Sequence, residues 1–194
     1  MPPTHTGGCE CGAVRYAFAS APVHVSLCHC ASCKRSTGST HTHTLIIPAA
    51  SFTPNTTANT NTTNTDSNND TNHTAKIYTR TSDSGREVRS HFCGACGTTM
   101  WAESDVGAAA GGAAAGGTDG GGGVLAVRAG TLDDLGLNEK EGWRPGTELY
   151  CRDRYGWMRE VGGARAFEGM MEGEGDLVRE ALSSGGKKGG SDSE

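Results

Sequence analysis

The sequence contains no long hydrophobic run. No apolar stretch approaches the roughly 20 residues that span a bilayer, and residues 1–8 contain no apolar core of a signal peptide. These absences predict a protein that does not enter a membrane and is not secreted. We therefore expect a cytoplasmic location, with the nucleus as the other compartment.

Positive charge is also scarce. The chain has 17 Lys and Arg against 22 Asp and Glu, which gives a formal net charge of −5. Because nucleic-acid binding needs a concentrated basic surface, the charge balance argues against a nucleic-acid partner.

Two internal tracts lack the apolar side chains of a core. Residues 55–74 contain seven Asn and eight Thr, and residues 107–123 contain nine Gly and six Ala. Such composition does not offset the entropy of ordering a chain. We predict a single domain over residues 1–182 with flexible insertions at these two tracts, followed by a disordered tail at residues 183–194.

Between the insertions, the apolar residues recur with period two and not with the period of 3.6 that a helix needs. The pattern predicts short strands around Val14 to Phe18, Val23 to Leu27 and Val124 to Val127, with others at residues 45–47, 76–79 and 98–101. Helix signals are few: a turn after Cys30, a weak stretch at residues 132–137 and a last helix at residues 176–182. The predicted fold class is mainly β, in small antiparallel sheets with few short helices.

Seven of the eight cysteines fall into three tight groups. The first group is the pair Cys9 and Cys11, and the last is the pair Cys93 and Cys96. Between them lies a trio, which consists of Cys28, Cys30 and Cys33. Two pairs supply the four thiolates of a closed structural zinc site, whereas a trio leaves the fourth position to water or substrate, as in catalytic zinc sites. The pattern therefore predicts two zinc ions, one structural and one catalytic.

The spacing of the cysteines supports this grouping. Residues two apart on an extended strand point to the same side, so Cys9 and Cys11 can share one ion, as can Cys28 and Cys30. Cys93 and Cys96 form a knuckle with glycines that permit a tight turn. Lone Cys151 is expected to pack as a small hydrophobic residue.

Two alternatives to this reading stay open. Disulfides would need an oxidising compartment, which the absence of an export signal argues against. A histidine could also complete the trio and make both sites structural; the candidates are His29, His41, His43 and His91. On an extended segment His29 would point away from the face that Cys28 and Cys30 share, so we expect it to be a packed residue.

The cysteine segments resemble those of one known family. They are Gly8-Cys9-Glu10-Cys11-Gly12-Ala13-Val14-Arg15-Tyr16, Cys28-His29-Cys30-Ala31-Ser32-Cys33-Lys34-Arg35 and Phe92-Cys93-Gly94-Ala95-Cys96-Gly97. Their order and spacing resemble the glutathione-dependent formaldehyde-activating enzyme family, which includes centromere protein V. Residues 129–134, 155–157 and 167–169 are similar to later parts of the family pattern.

This resemblance implies a tent-like arrangement of small β-sheets with a four-cysteine zinc and a three-cysteine catalytic zinc. It also implies a carbon–sulfur lyase reaction, in which glutathione and formaldehyde form S-(hydroxymethyl)glutathione. A non-catalytic zinc module for scaffolding or protein binding, in the manner of centromere protein V, is the other hypothesis.

The expected chemistry follows from the trio itself. A zinc ion can stabilise a thiolate or polarise an aldehyde oxygen. Three thiolates on a divalent ion leave a net negative site, which favours delivery of the thiol over activation of the aldehyde. Because glutathione is anionic, a cationic side chain is expected beside the site. The candidates nearest the cysteines are Arg15, Lys34 and Arg35, of which Arg35 is preferred as the substrate contact.

Overall fold

The structure is a computed structural model that describes residues 4–55, 75–83, 85–104 and 123–171. Most of the two predicted insertions, the predicted tail and the helix predicted at residues 176–182 lie outside these ranges. Those predictions therefore stay predictions.

Within these ranges the chain forms eleven strands and one α-helix. They are β1 His5–Gly8, β2 Arg15–Phe18, β3 His24–Cys28, α1 Ala31–Thr37, β4 Thr42–Pro48, β5 Phe52–Asn55, β6 Ala75–Thr81, β7 Glu87–Cys93, β8 Thr99–Ser104, β9 Val124–Arg128, β10 Thr147–Leu149 and β11 Arg165–Ala166. Short 3-10 helices cover Ala49–Ser51, Ala129–Thr131, Leu135–Glu139 and Cys151–Asp153. The mainly β fold class with few short helices is confirmed. None of the described helices has the length and apolar character needed to cross a membrane.

The strands form two sheets. Three strands pair in the order β1-β2-β5, and eight pair in the order β11-β10-β3-β4-β9-β8-β7-β6. All pairings are antiparallel except those of β10, which runs parallel to both β3 and β11. The sequence analysis did not predict these parallel pairings, because a strand of three residues is too short to show an alternating pattern.

The hydrophobic core lies between the two sheets. Tyr16 and Phe18 of β2 are almost fully buried and join a cluster with Trp101 of β8. The Tyr16 and Trp101 rings meet edge to face, with centroids 6.0 Å apart, a favourable geometry for an aromatic pair. From the large sheet, Leu45 and Val127 enter the same cluster with no exposed surface.

The large sheet has a second face, which does not take part in this core. Since side chains along a strand alternate between faces, Leu125 and Val127 of β9 face the core, whereas Ala126 and Arg128 face the opposite side. There they line a pocket. The large sheet thus has a core face and a pocket face.

Candidate functional site

Four cysteines from distant parts of the chain meet in one cluster. The sulfur atoms of Cys9, Cys11, Cys93 and Cys96 all lie within 4.8 Å of one another. The Sγ of Cys11 is 3.6 Å from that of Cys9 and 3.7 Å from that of Cys93, too far for a disulfide bond. All eight cysteines are free thiols. The predicted meeting of the two pairs is confirmed, and this cysteine quartet can hold a metal ion.

Two similar turns build the cysteine quartet. Cys9 and Cys11 lie in the turn after β1, so the strand geometry expected for them is wrong. The turn closes with a hydrogen bond from the amide of Gly12 to the carbonyl of Cys9 at 3.0 Å, and Gly12 has φ of 77°. In the second turn Gly97 has the same φ, and its amide donates to the carbonyl of Cys93 at 2.9 Å. Glycine adopts this left-handed backbone without steric cost, which explains why both turns contain one.

Backbone amides and Thr98 support the sulfurs of the quartet. The amide of Val14 donates to Cys9 Sγ at 3.2 Å, and the amide of Ala95 lies 3.4 Å from Cys93 Sγ. The hydroxyl of Thr98 accepts from the amide of Glu10 at 3.3 Å and lies 3.2 Å from Cys96 Sγ, so it connects the two turns. Burial opposes ionisation of Cys96, but hydrogen bonds with Thr98 and Cys11 outweigh it and lower the pKa to about 6.

The cysteine trio lies where β3 passes into α1. Cys28 ends β3, Cys30 caps the N-terminus of α1, and Cys33 lies in the first turn of that helix. Cys30 has an extended backbone, and its sulfur accepts from the amide of Cys33 at 3.4 Å. The three sulfurs lie within 4.8 Å of one another. The predicted convergence of Cys28, Cys30 and Cys33 is confirmed, and the cysteine trio can hold a metal ion.

The proximity of the three sulfurs controls their ionisation. Hydrogen bonds with Cys30 and Cys33, together with burial, raise the pKa of Cys28. Hydrogen bonds from Cys28 and Cys30 lower the pKa of Cys33 to about 2. One thiolate is therefore favoured at the expense of its neighbours, because like charges so close together repel. A divalent cation would remove this conflict, and a set of thiolates is the donor set that suits zinc.

Among the described residues, no histidine nitrogen joins the group of three sulfurs. His29 is fully buried, and its Nε2 lies 3.1 Å from Oε1 of Glu148 on β10. The expectation that His29 is a packed residue is confirmed. His41 lies beside His29, with ring centroids 5.9 Å apart, while the His91 ring stacks on Trp101. The Nε2 of His43 is buried with no hydrogen-bond partner among the described residues.

Glu148 is the centre of a buried polar network that the sequence analysis did not find. Its second carboxylate oxygen accepts from Nη1 of Arg154 at 3.2 Å and from the amide of Val161 at 3.1 Å. Burial favours the neutral carboxyl, but the hydrogen bonds from His29 and Val161 and the charge of Arg154 hold the pKa of Glu148 below its usual range. The network thus connects His29, which lies between Cys28 and Cys30, to β10.

The sulfurs of the trio open onto a pocket on the second face of the large sheet. The pocket contains about 1100 Å³ of empty space, including the part that is open to solvent. Its sheet wall consists of alternate residues on neighbouring strands: His24, Ser26 and Cys28 of β3, Thr44 and Ile46 of β4, Val88 of β7, Ala102 of β8, and Val124, Ala126 and Arg128 of β9. The wall also includes the other two cysteines of the trio, Cys30 and Cys33, together with Leu149, Tyr150 and Met170.

Tyr150 follows β10 in a left-handed backbone conformation, with φ of 56° and ψ of 46°. This conformation costs a residue with a Cβ roughly 1–2 kcal/mol. Two hydrogen bonds hold the segment: the amides of Tyr150 and Cys151 donate to the carbonyls of Gly169 and Phe167 at 3.0 and 2.9 Å. Such strain is typical of residues at functional sites.

None of the cationic residues considered from the sequence is among the residues that line the pocket. Arg35 is exposed on α1 and is not among the residues that line the pocket. Lys34 packs over the ring of Tyr155 at 3.9 Å and donates to the carbonyl of Asp153. Arg15 pairs with Asp133. The arginines of the pocket wall are Arg80, Arg86 and Arg128.

Cys151 belongs to neither cysteine group. It is partly buried, and its sulfur donates to the carbonyl of Glu148 at 3.5 Å. Burial raises the pKa of this thiol, so it stays protonated and packs against the end of β10, as expected for a lone cysteine.

Comparison with known proteins identifies the family. The family model described as glutathione-dependent formaldehyde-activating enzyme matches residues 4–153, which include both cysteine groups and most of the described strands. A search of the curated proteins finds no match to this chain. The resemblance seen in the three cysteine segments is therefore confirmed: the chain belongs to the glutathione-dependent formaldehyde-activating enzyme family.

Proposed function

We propose that the protein is a zinc-dependent enzyme of the carbon–sulfur lyase class, which joins glutathione to formaldehyde to give S-(hydroxymethyl)glutathione. The observation that carries this proposal is the convergence of three sulfurs, within 4.8 Å of one another, on a pocket large enough to admit a small molecule. The match to the family model supports the choice of thiol and aldehyde.

In this proposal the two cysteine groups have different roles. The quartet would hold a structural zinc ion, because four thiolates complete a tetrahedral shell. The trio would hold a second zinc ion, for which the described residues offer three ligands. When bound there, zinc would stabilise a thiolate near neutral pH and attract the oxygen of an aldehyde.

The reaction is an addition that needs no further reactant. The sulfur of glutathione forms a bond to the carbon of formaldehyde, the π electrons of the carbonyl pass to its oxygen, and the thiol proton ends on that oxygen. The chain would contribute mainly by positioning, since holding two reactants together lowers the entropic part of the barrier. Val88, Val124 and Leu149 provide apolar wall that would exclude water around the reacting sulfur.

The substrate contact predicted from the sequence remains part of the proposal. Arg35 lies two residues after Cys33 on the same helix, and its side chain is exposed. We propose that it contacts the charged end of glutathione from outside the pocket. An Arg35→Ala variant would then raise KM for glutathione by about threefold, as expected for one exposed charge pair, with kcat unchanged.

Cobalt substitution and adduct kinetics test the proposed function together. Cobalt-loaded protein titrated with glutathione should change its ligand-field spectrum when a fourth sulfur enters the trio. Adduct formation, followed by NMR with the uncatalysed rate subtracted, should be faster with zinc-loaded protein than with metal-free protein. A spectrum that does not respond to glutathione, together with no acceleration, would favour the non-catalytic zinc module.

A further inference from the structure

Arg128 is partly buried, and its guanidinium group is incompletely paired. Its Nη1 donates to the hydroxyl of Thr44 at 3.1 Å, while its Nε is buried with no hydrogen-bond partner among the described residues. Burial lowers the pKa of Arg128, although nearby cysteines oppose this effect. A buried charge is costly unless a partner of opposite charge accompanies it. The described residues provide no carboxylate for this role.

The strand register places this guanidinium on the pocket face close to the trio. Arg128 pairs with Thr44 across β9 and β4, and on the other side of β4 Thr42 pairs with Cys28. The charge of Arg128 contributes to the lowered pKa of Cys33. A ligand that reached the trio through the pocket would therefore pass beside Arg128.

Two further arginines line the same pocket. Arg80 lies on β6, and Arg86 lies just before β7 in the same hairpin. Asp83 is the one acidic residue among the described residues of the pocket wall. None of the three arginines forms an ion pair with a carboxylate in the described part of the chain. Apart from the cysteine trio, the wall thus has three arginines against one acidic side chain.

The rest of the wall strengthens the effect of this charge. Ala102 and Ala126 face each other across β8 and β9, and both line the pocket. Their small side chains leave space above the sheet for a ligand, and the pocket wall also contains the apolar residues Val88 and Val124. Charges interact more strongly in such surroundings than in water.

From these observations we infer that Arg128, together with Arg80 and Arg86, forms a carboxylate-binding subsite that selects thiols bearing a carboxylate. An arginine binds a carboxylate through two parallel hydrogen bonds, and because Arg128 lines the pocket, a carboxylate bound there would give its guanidinium a partner of opposite charge. This inference rests on the proposed function only in taking a thiol as the substrate. Another role for Arg128 would be to balance the negative charge of the trio, and the experiment separates the two.

The test uses S-methylglutathione, which keeps both carboxylates of glutathione but has a blocked sulfur. Its binding to zinc-loaded protein is measured by calorimetry. Arg128→Met should weaken binding by about tenfold or more, the usual size of a charge-assisted hydrogen-bond pair, and Arg128→Lys should weaken it less. The matched control is Arg144→Met, because Arg144 is 65% exposed and lies outside the pocket wall; its affinity should equal that of the wild type.

Cysteamine provides the second arm, because it has a thiol and no carboxylate. Its effect on the cobalt spectrum should be the same in Arg128→Met as in the wild type, which would support selection through the carboxylate. If Arg128→Met lost zinc from the trio but bound S-methylglutathione normally, the charge-balancing role would replace the subsite. If Arg128→Met failed to fold, Arg80→Met and Arg86→Met on the hairpin would carry the test, each with about threefold weaker binding expected; unchanged binding in both would overturn the inference.

The outcome is separable from that of the proposed function. S-methylglutathione cannot form the adduct, so its binding does not depend on turnover. Arg128-dependent binding in a protein that did not accelerate adduct formation would support the subsite and remove the proposed reaction. If the protein accelerated adduct formation but its binding of S-methylglutathione did not depend on Arg128, the proposed reaction would be supported and the subsite would be overturned.

Discussion

The cysteine quartet and the cysteine trio offer similar sulfur atoms but are assembled in different ways. The quartet joins two turns that are far apart in sequence, since Cys93 lies 82 positions after Cys11. The trio comes from one short segment at the junction of β3 and α1. A metal ion in the quartet would close a long loop of the chain, whereas a metal ion in the trio would connect only residues of one short segment. The comparison teaches that the role of a metal site depends on which parts of the chain it connects.

Loss of a quartet ligand should have the largest effect. Cys93→Ala removes a fully buried ligand of the site that joins β1 to β7, and metal-binding energy at such a site is folding energy. We expect the variant to retain one zinc ion fewer and to unfold or aggregate, as measured by zinc content and circular dichroism. Cys151→Ala is the control, because Cys151 belongs to neither group. A folded Cys93→Ala protein with full zinc content would contradict the structural role of the quartet.

Loss of a trio ligand should abolish activity but not the fold. Cys30→Ala should lose the second zinc ion and the formation of the thiol–aldehyde adduct. It should keep β-rich circular dichroism and a cooperative melt, because the trio spans one local segment. The Cys30 side chain also caps α1, which would add about 1 kcal/mol to the loss of stability. If this variant unfolded as completely as Cys93→Ala, the division of roles between the two groups would be wrong.

The trio nevertheless has distant support, which Glu148 can reveal. Glu148→Ala leaves the fully buried His29 without its carboxylate partner, whereas the partly buried Arg154 keeps its pair with Glu160. Leaving a buried polar group without its hydrogen-bond partner costs roughly 1–3 kcal/mol, which urea unfolding can measure. Glu139→Ala is the control, because Glu139 is 81% exposed in its pair with Arg144. A loss below about 1 kcal/mol, the range of surface pairs, would show that the network does not hold the segment of the trio.

The smallest expected effect concerns the turns of the quartet. Gly97 has φ of 77° with no atom within 4 Å of an added Cβ, so Gly97→Ala meets backbone strain and no clash. The expected loss of stability is about 1 kcal/mol. Gly130→Ala is a matched control, since it also meets open space but lacks a positive φ. Equal melting temperatures for the two variants would remove the proposed need for glycine in the knuckle.

Much of the candidate site could be predicted from cysteine spacing alone. The grouping of the seven cysteines holds in the structure, although Cys9 and Cys11 meet in a turn and not on a strand. Spacing fixes which residues can share an ion, but the backbone path depends on Gly12 and its positive φ. The extended geometry predicted for Cys30 is present, and it directs His29 away from the trio.

The partners from distant strands could not be predicted in this way. Arg128 reaches the pocket because β9 pairs with β4 in a register that no local pattern encodes. Glu148 reaches His29 because the short strand β10 runs parallel to β3. The search for cations near the cysteines in sequence therefore favoured Arg35, whereas sheet pairing brings Arg80, Arg86 and Arg128 to the pocket. One signal in the sequence indicated the face on which Arg128 lies. In a strand with alternating faces, Arg128 shares its face with Val124 and Ala126, whereas Leu125 and Val127 lie on the other face.

The two faces of the large sheet separate the residues that pack the core from the residues that line the pocket. On β9, positions 125 and 127 belong to the core and positions 124, 126 and 128 to the pocket wall. A mutational scan along this strand would therefore show phenotypes that alternate with a period of two, unfolding at one position and altered ligand choice at the next. Substitutions at the pocket positions would leave the core packing in place. The pleat of one strand would thus let ligand preference change without a change in the packing of the core.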